Sequence, residues 1–372
     1  MNFINKYKPL MFLFLGTVLA LVPTFLLRIN YNLSILFYEK FGTYLGDLWN
    51  FFANYIMHGL KYPPEYPAGI RIFYNIFALD KVRSLEEFIS VNSILLLASA
   101  LAITYLLYIL VKESHGKLSN IWLFWIFAPS LIFYSLYNYD LITILFTILS
   151  YFLFTRKKFA FSAIMLAVGV IFKFFPIYLL PIFILNAPKT EKIKYFLLFS
   201  LTILFVNLPF MIGDFEAWKY PYIWQITQNI SYSMHQQTYW WILYPYFSSY
   251  LGYISIGLFA FLYFLFIKKL KTKSMVAQLV TVLILFLLTD RIYSPQYHLY
   301  LLPFLVLLPY QINKIAFYLV EIINVAIVFF LFKLFDNLVL LQILVFLRYS
   351  FLIILLIDNY KKTNLNYAKN KS

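Results

Sequence analysis

The chain has 372 residues, 63% hydrophobic and 12% charged. A soluble domain carries about a quarter charged residues, so composition excludes an ordinary globular enzyme and predicts an all-α, polytopic helical membrane protein. The absence of cysteine excludes thiolate catalysis, disulfides and cysteine-based metal sites. The net charge of +15 falls largely in short loops and the C-terminal end, a distribution that faces anionic lipid rather than nucleic acid.

In chain order, Met1–Pro9 is followed by an apolar run long enough to span and without a small-residue cleavage site, which predicts an uncleaved first helix. Apolar segments then recur: 10–27, 88–111, 120–136, 139–155, 159–172, 174–186, 193–212, 250–267, 275–289, 298–310, 315–332 and 338–357. A spanning helix needs about 20 apolar residues, fewer when buried among neighbours, and this predicts about 10–12 transmembrane helices. Pro176 and Pro181 interrupt the pattern of 174–186. No internal repeat is visible. Residues 1–358 read as a single integral membrane domain, and the Asn/Lys-rich 359–372 as a frayed cytoplasmic tail.

An N-terminus on the cytoplasmic side puts Lys112/Lys117, Arg156/Lys157/Lys158, Lys189/Lys192/Lys194, Lys268/Lys269/Lys271/Lys273, Lys314 and Lys361/Lys362 in inner connections. That is the positive-inside pattern, and it places both termini inside. Two long outer loops result, 28–87 and 213–249, holding Asp47, Glu65, Asp80, Glu86, Glu87, Asp214 and Glu216. Asp140, Lys173, Asp290, Arg291 and His298 fall at outer helix ends, so any chemistry is expected to be extracytoplasmic. Aromatic periodicity after Asp47 and from Glu86 predicts helices lying in the interface. The tyrosines and tryptophans of 218–250 suit interfacial anchors or a sugar-binding wall.

Asp47 is either a general base for a sugar hydroxyl or the N-cap of the aromatic helix it precedes. The turn Tyr62-Pro-Pro-Glu-Tyr-Pro67 is stiffened by three prolines, so Tyr62, Pro63, Pro64 and Glu65 belong to a positioned site or to a plain loop staple. Glu65 is the alternative base.

An outer-loop acid, a helix and then Tyr-Pro-Pro resembles the polyprenyl-phosphate-sugar-dependent membrane glycosyltransferases of the GT-C fold. The chain is most similar to the DUF2029 group, which includes bacterial alpha-mannosyltransferases that extend phosphatidylinositol mannosides. Three further stretches carry the likeness: Tyr137-Asn-Tyr-Asp140, Gly169-Val-Ile-Phe-Lys-Phe-Phe-Pro-Ile-Tyr-Leu-Leu-Pro181, and Ser294-Pro-Gln-Tyr-His-Leu-Tyr-Leu-Leu-Pro303. In the last, Leu299-Tyr300 departs from the family's tryptophan-type residue. The resemblance implies inverting transfer of a sugar, mannose first, from a polyprenyl (dolichyl) phosphate donor to a lipid-linked or glycan acceptor, with Asp47 as base.

A departing lipid phosphate requires preorganised cations and donors. Arg291 suits bidentate contact and Lys173 a point charge, and His298 joins them. Alternatively Lys173 snorkels to the interface, and Asp290 and Arg291 neutralise each other. Asp140 pairs with a cation, orients the acceptor or caps its helix. His235, Gln236, Gln296 and Tyr297 complete the substrate-binding candidates.

His58, His115, His235 and His298 are scattered, without ligand spacing, so no metal or other cofactor is expected. No Asp-x-Asp in the first loop and no phosphate-cradling glycine loop points to a soluble nucleotide sugar. The rival is a transporter or flippase of polyprenyl-linked glycans. Such proteins often carry repeats and midplane charges, whereas here the ionisable residues read as gathered at one face.

Overall fold

The computed structural model describes residues 3–30, 48, 51–52, 56, 66–227, 237–270, 274–331 and 337–369. Among them the regular structure is entirely helical. Five helices are long and apolar enough to cross a membrane: Tyr7–Ile29, Leu85–Glu113, Lys192–Gly213, Tyr244–Lys269 and Leu338–Asn364. Shorter apolar helices lie between them at Asp140–Thr155, Phe159–Phe172, Phe175–Asn186 and Met275–Thr289. The chain is a multi-pass, all-α membrane protein. It divides into two compact units, one of Met1–Phe127 with Leu131–Ile226, the other of Ala128–Ser130 with Thr227–Ser372.

The first unit contains α1 (Phe3–Ile29), α2 (Ala68–Ile76), α3 (Leu85–Glu113), α4 (Asp140–Thr155), α5 (Phe159–Phe172), α6 (Lys192–Gly213) and α7 (Phe215–Thr227). Helix α3 starts where Ser84 Oγ accepts the Glu87 N–H at 3.2 Å, with Glu86 and Glu87 in its first turn and Lys112 in its last. Cap and charges both favour that direction of the helix dipole. Glu86 therefore opens a long span and does not start a separate interfacial helix.

Helices α4 and α5 form a tight hairpin through Arg156–Lys158, with Lys157 in the left-handed region (φ 59°). Small polar groups tie the helices together. Ser150 Oγ donates to the Ser162 carbonyl at 2.8 Å, and Ser162 Oγ meets Tyr195 Oη of α6 at 3.0 Å. Thr17 Oγ1 of α1 meets Thr104 Oγ1 of α3 at 2.9 Å, where Trp125 Nε1 also donates. In an apolar medium such bonds compete with no water and fix helix register. Arg156 pairs with Glu113 at 2.5 Å, so the basic connections after α3 and after α4 share one end of this unit, as the charge pattern requires. Prolines 176 and 181 have the expected effect: the 3-10 turn Phe175–Leu179 runs into the short helix Leu180–Asn186.

The second unit contains α8 (Leu251–Leu270), α9 (Met275–Thr289), α10 (Lys314–Leu331) and α11 (Leu338–Lys369). Between α9 and α10 the chain makes a 3-10 turn, Pro295–Tyr300, and a short helix, Leu302–Val306. Irregular backbone at membrane depth survives only when protein surrounds it; Leu299, Tyr300, Leu301 and Leu302 are all buried here.

Of the tail expected to fray from residue 359, residues 359–369 continue α11 as helix. Asn359 Nδ2 donates to the Ala277 carbonyl (3.1 Å) and Thr281 Oγ1 (2.9 Å), and Tyr310 Oη donates to Asn359 Oδ1 (2.6 Å). Asp358 accepts the Asn313 N–H at 2.8 Å, and Lys362 reaches the Gln311 carbonyl at 2.7 Å. These bonds gather the start of α9, the α10 entry and the end of α11 at one end of the unit. The polar composition that reads as a frayed end is used in packing.

Candidate functional site

In the first unit, two of the stretches that carry the family resemblance, 137–140 and 169–181, meet. Asp140 begins α4 and Lys173 ends α5, so the hairpin brings them to the same end. An acid at a helix start and a cation at a helix end each suit the local dipole. Lys173 Nζ lies 2.6 Å from Asp140 Oδ1 and 3.5 Å from Asn138 Oδ1. The Asp140 side chain is 1% exposed and that of Lys173 18%, so Lys173 is the member that reaches outward. Asn138 is the hub: its Oδ1 also accepts the Asp140 N–H (3.0 Å), and its Nδ2 donates to Tyr66 Oη (3.2 Å).

Tyr66 closes the proline turn of the first long loop. At that loop's other side, Leu48, which follows Asp47, donates its N–H to the Tyr137 carbonyl at 3.2 Å. An aromatic wall surrounds the group, with Phe51 stacked on Tyr139 (6.1 Å) and edge-on to Tyr66 (5.0 Å), and Tyr139 Oη donating to Tyr74 Oη at 3.0 Å. Gly69 lets α2 pack against the end of α5: a β-carbon there would stand 2.7 Å from the Ile171 carbonyl oxygen. Arg28, at the end of α1, is buried, donates to the Phe133 carbonyl at 3.2 Å and lies over the Tyr137 ring at 5.7 Å.

Of the residues singled out from sequence, Asp47, Tyr62, Pro63, Pro64, Glu65, His235 and Gln236 lie outside the described residues. Arg291, His298, Gln296 and Tyr297 belong to the second unit. Burial pushes the Asp290 carboxyl up to about 7, against the opposing pull of the Ile292 N–H and the Arg291 charge. Tyr297 stacks on Tyr300 at 5.6 Å, and Gln296 is buried. His298 is 1% exposed, and both its ring nitrogens are engaged: Nδ1 with Glu321 Oε1 at 2.7 Å, Nε2 with Tyr293 Oη.

That histidine is one link in a buried network that the sequence reading missed. Glu321, about midway along α10, also accepts the Ser130 N–H at 2.8 Å. Arg348, about a third of the way along α11, is fully buried. Its Nη1 donates to Asn324 Oδ1 at 3.0 Å, its Nη2 to the Gln237 carbonyl, and its guanidinium lies 3.6 Å from the Tyr293 ring centroid. Asn324 Nδ2 donates to the Pro295 carbonyl at 2.8 Å.

The ionisable groups are therefore not confined to one face. Glu321 and Arg348 stand inside apolar helices, and each was legible as a lone charge in an apolar run. The aromatic stretch 218–250 is also divided. Trp240 is core, with Nε1 donating to the Thr289 carbonyl at 3.2 Å, whereas Tyr246 and Tyr250 are exposed.

No protein-family model matches the chain, and no curated protein matches it. What the structure and composition define is the class: a multi-pass helical membrane protein with two buried polar clusters.

Proposed function

We propose that this protein is a GT-C-type inverting glycosyltransferase. It moves a sugar, mannose first, from a polyprenyl (dolichyl) phosphate donor to a lipid-linked or glycan acceptor at the extracytoplasmic face, with Asp47 as general base. The observation that carries the proposal is the convergence around Asn138. Tyr66 of the proline turn, Asp140 and Lys173 come from three separated stretches and share one hydrogen-bonded cluster through Asn138, and Leu48 beside Asp47 bonds the adjacent Tyr137 carbonyl. In this reading Asp140 holds Lys173 as a fixed cation for the leaving phosphate. Of the phosphate candidates named from sequence, His298, with both ring nitrogens engaged within the protein, is the weakest.

A second reading, a transporter or flippase of polyprenyl-linked glycans, draws support from Glu321 and Arg348, because buried charges within spans mark translocation and proton pathways. One experiment separates the two. Membranes carrying wild type or Asp47→Asn are given labelled polyprenyl-phosphate mannose, and transfer to lipid acceptors is measured. The transferase predicts transfer by wild type and a loss of about two orders of magnitude in the variant at equal expression. Transfer unaffected by Asp47→Asn removes Asp47 as base and brings Glu65 forward. No transfer by wild type from any of several lipid-phosphate sugars favours the transporter.

A further inference from the structure

The network in the second unit has a property that a structural brace does not need. Arginine is always charged, and Arg348 is fully buried. A buried cation demands a compensating anion, and Glu321 is the carboxylate joined to the same network through His298 and Tyr293. With Glu321 ionised and His298 neutral, the network sums to zero. The hydrogen bonds then have one consistent assignment. Glu321 accepts from Ser130 N–H and from His298 Nδ1–H, which leaves Nε2 as acceptor for the Tyr293 hydroxyl.

We propose that His298 and Glu321 form a proton-binding site inside the second unit, and that loading it reverses the hydrogen bond to Tyr293. When a proton from water enters at Nε2, that nitrogen changes from acceptor to donor. A phenolic oxygen can accept as readily as it donates, so Tyr293 Oη takes the new N–H without heavy-atom movement, and its own hydrogen turns away. The imidazolium stays paired with the Glu321 carboxylate; the N–H forms as an O–H of hydronium breaks and leaves water, and no other covalent bond changes. Among the described residues, the other charged or titratable groups facing this network are Asp290 after α9, Arg348 and Tyr349 from α11, Tyr239 from the turn Tyr239–Ile242, and Tyr318 from α10. Burial of the ring opposes loading most, and Arg348 adds to it, whereas the Glu321 carboxylate supports it. The inference is independent of whether the chain transfers a sugar.

The small number of histidines makes the test direct, since the chain has four. Full-length protein labelled with 15N-histidine is placed in lipid nanodiscs, and its imidazole nitrogens are followed across about pH 5 to 8, where histidine changes charge. The resonance lost in His298→Gln belongs to the site. It is expected to show protonated Nδ1 and accepting Nε2 at the upper end, and imidazolium as pH falls.

Both variants are expected to weaken proton binding, each for its own reason. Glu321→Gln removes the supporting charge and weakens proton binding about tenfold or more. Tyr293→Phe keeps the ring under Arg348 but removes the acceptor for the new N–H, a charge-assisted bond stronger than the neutral one it replaces, and weakens proton binding severalfold. A His298 signal that stays in one form across the range overturns the proposal, as does either variant that leaves proton binding unchanged or strengthens it. Where Glu321→Gln does not accumulate, Tyr293→Phe decides alone: unchanged or stronger proton binding overturns it.

Discussion

Asp140 and Lys173 form an ion pair whose two halves differ in exposure, and this asymmetry makes a measurable prediction. The Asp140 side chain is 1% exposed and Lys173 18%, with Nζ and Oδ1 2.6 Å apart. Removing one partner of a buried pair costs about 3–5 kcal/mol, because the remaining charge has lost its counter-ion in a poor solvent. Lys173→Met takes the ion-pair partner from a fully buried carboxylate, so it is expected near about 3 kcal/mol. Asp140→Asn leaves an ammonium that can swing to water, and about 1 kcal/mol is expected, within the range of exposed pairs. The double variant Asp140→Asn/Lys173→Met removes both charges and is expected to be closer to Asp140→Asn than to the sum, a coupling of about 2 kcal/mol. Equilibrium unfolding of the purified protein in mixed micelles, followed by tryptophan fluorescence, gives all three values. Equal costs for the two single variants, or strict additivity in the double, would refute the asymmetry.

Gly69→Ala is expected to destabilise by about 1–3 kcal/mol, since its β-carbon meets backbone of Ile171 at 2.7 and 2.9 Å and backbone cannot step aside. Gly257→Ala in α8, with nothing within 4 Å, is expected to stabilise by up to about 1 kcal/mol; the same sign at both positions would contradict the packing argument. Asp290 gives a pH effect. Its folded-state carboxyl is raised from 3.8 to about 7, first by burial, so its stabilising contribution is complete below the unfolded value and is lost as pH rises through about 7. The melting temperature in detergent is expected to fall across that interval in wild type and to fall less in Asp290→Asn. An identical profile in the variant would assign the effect elsewhere.

Which features were legible in the sequence follows from the physics of each signal. Apolar runs and basic connections report on solvent, and each described helix at α3–α6 and α8–α11 falls where the composition placed an apolar segment. The Asn138–Asp140–Lys173 cluster was legible as residue types, because polar groups at the ends of apolar runs are costly without a partner. That Lys173 pairs with Asp140, rather than reaching for the interface alone, depends on the three-residue hairpin turn and is a property of packing. Glu321 and Arg348 carried a sequence signal as strong as any, but a reading centred on helix ends passed over them. Trp240 could not be separated from its exposed aromatic neighbours, since density of Tyr and Trp does not say which ring turns inward. Asn359 and Thr363 look like solvent-facing composition, and only the neighbouring Ala277 carbonyl and the Thr281 and Tyr310 hydroxyls turn them into packing residues.

The position of Arg348 also has a consequence for biosynthesis. It is made after the two residues it joins, 24 positions after Asn324 and 111 after Gln237. Until it emerges from the ribosome, Asn324, Tyr293 and Glu321 enter the bilayer without that cation. The second unit thus cannot close progressively as its helices insert. It waits for its last long helix, and a nascent chain stalled before that point presents unpaired polar groups to lipid, the kind of defect by which membrane quality control can recognise an unfinished protein.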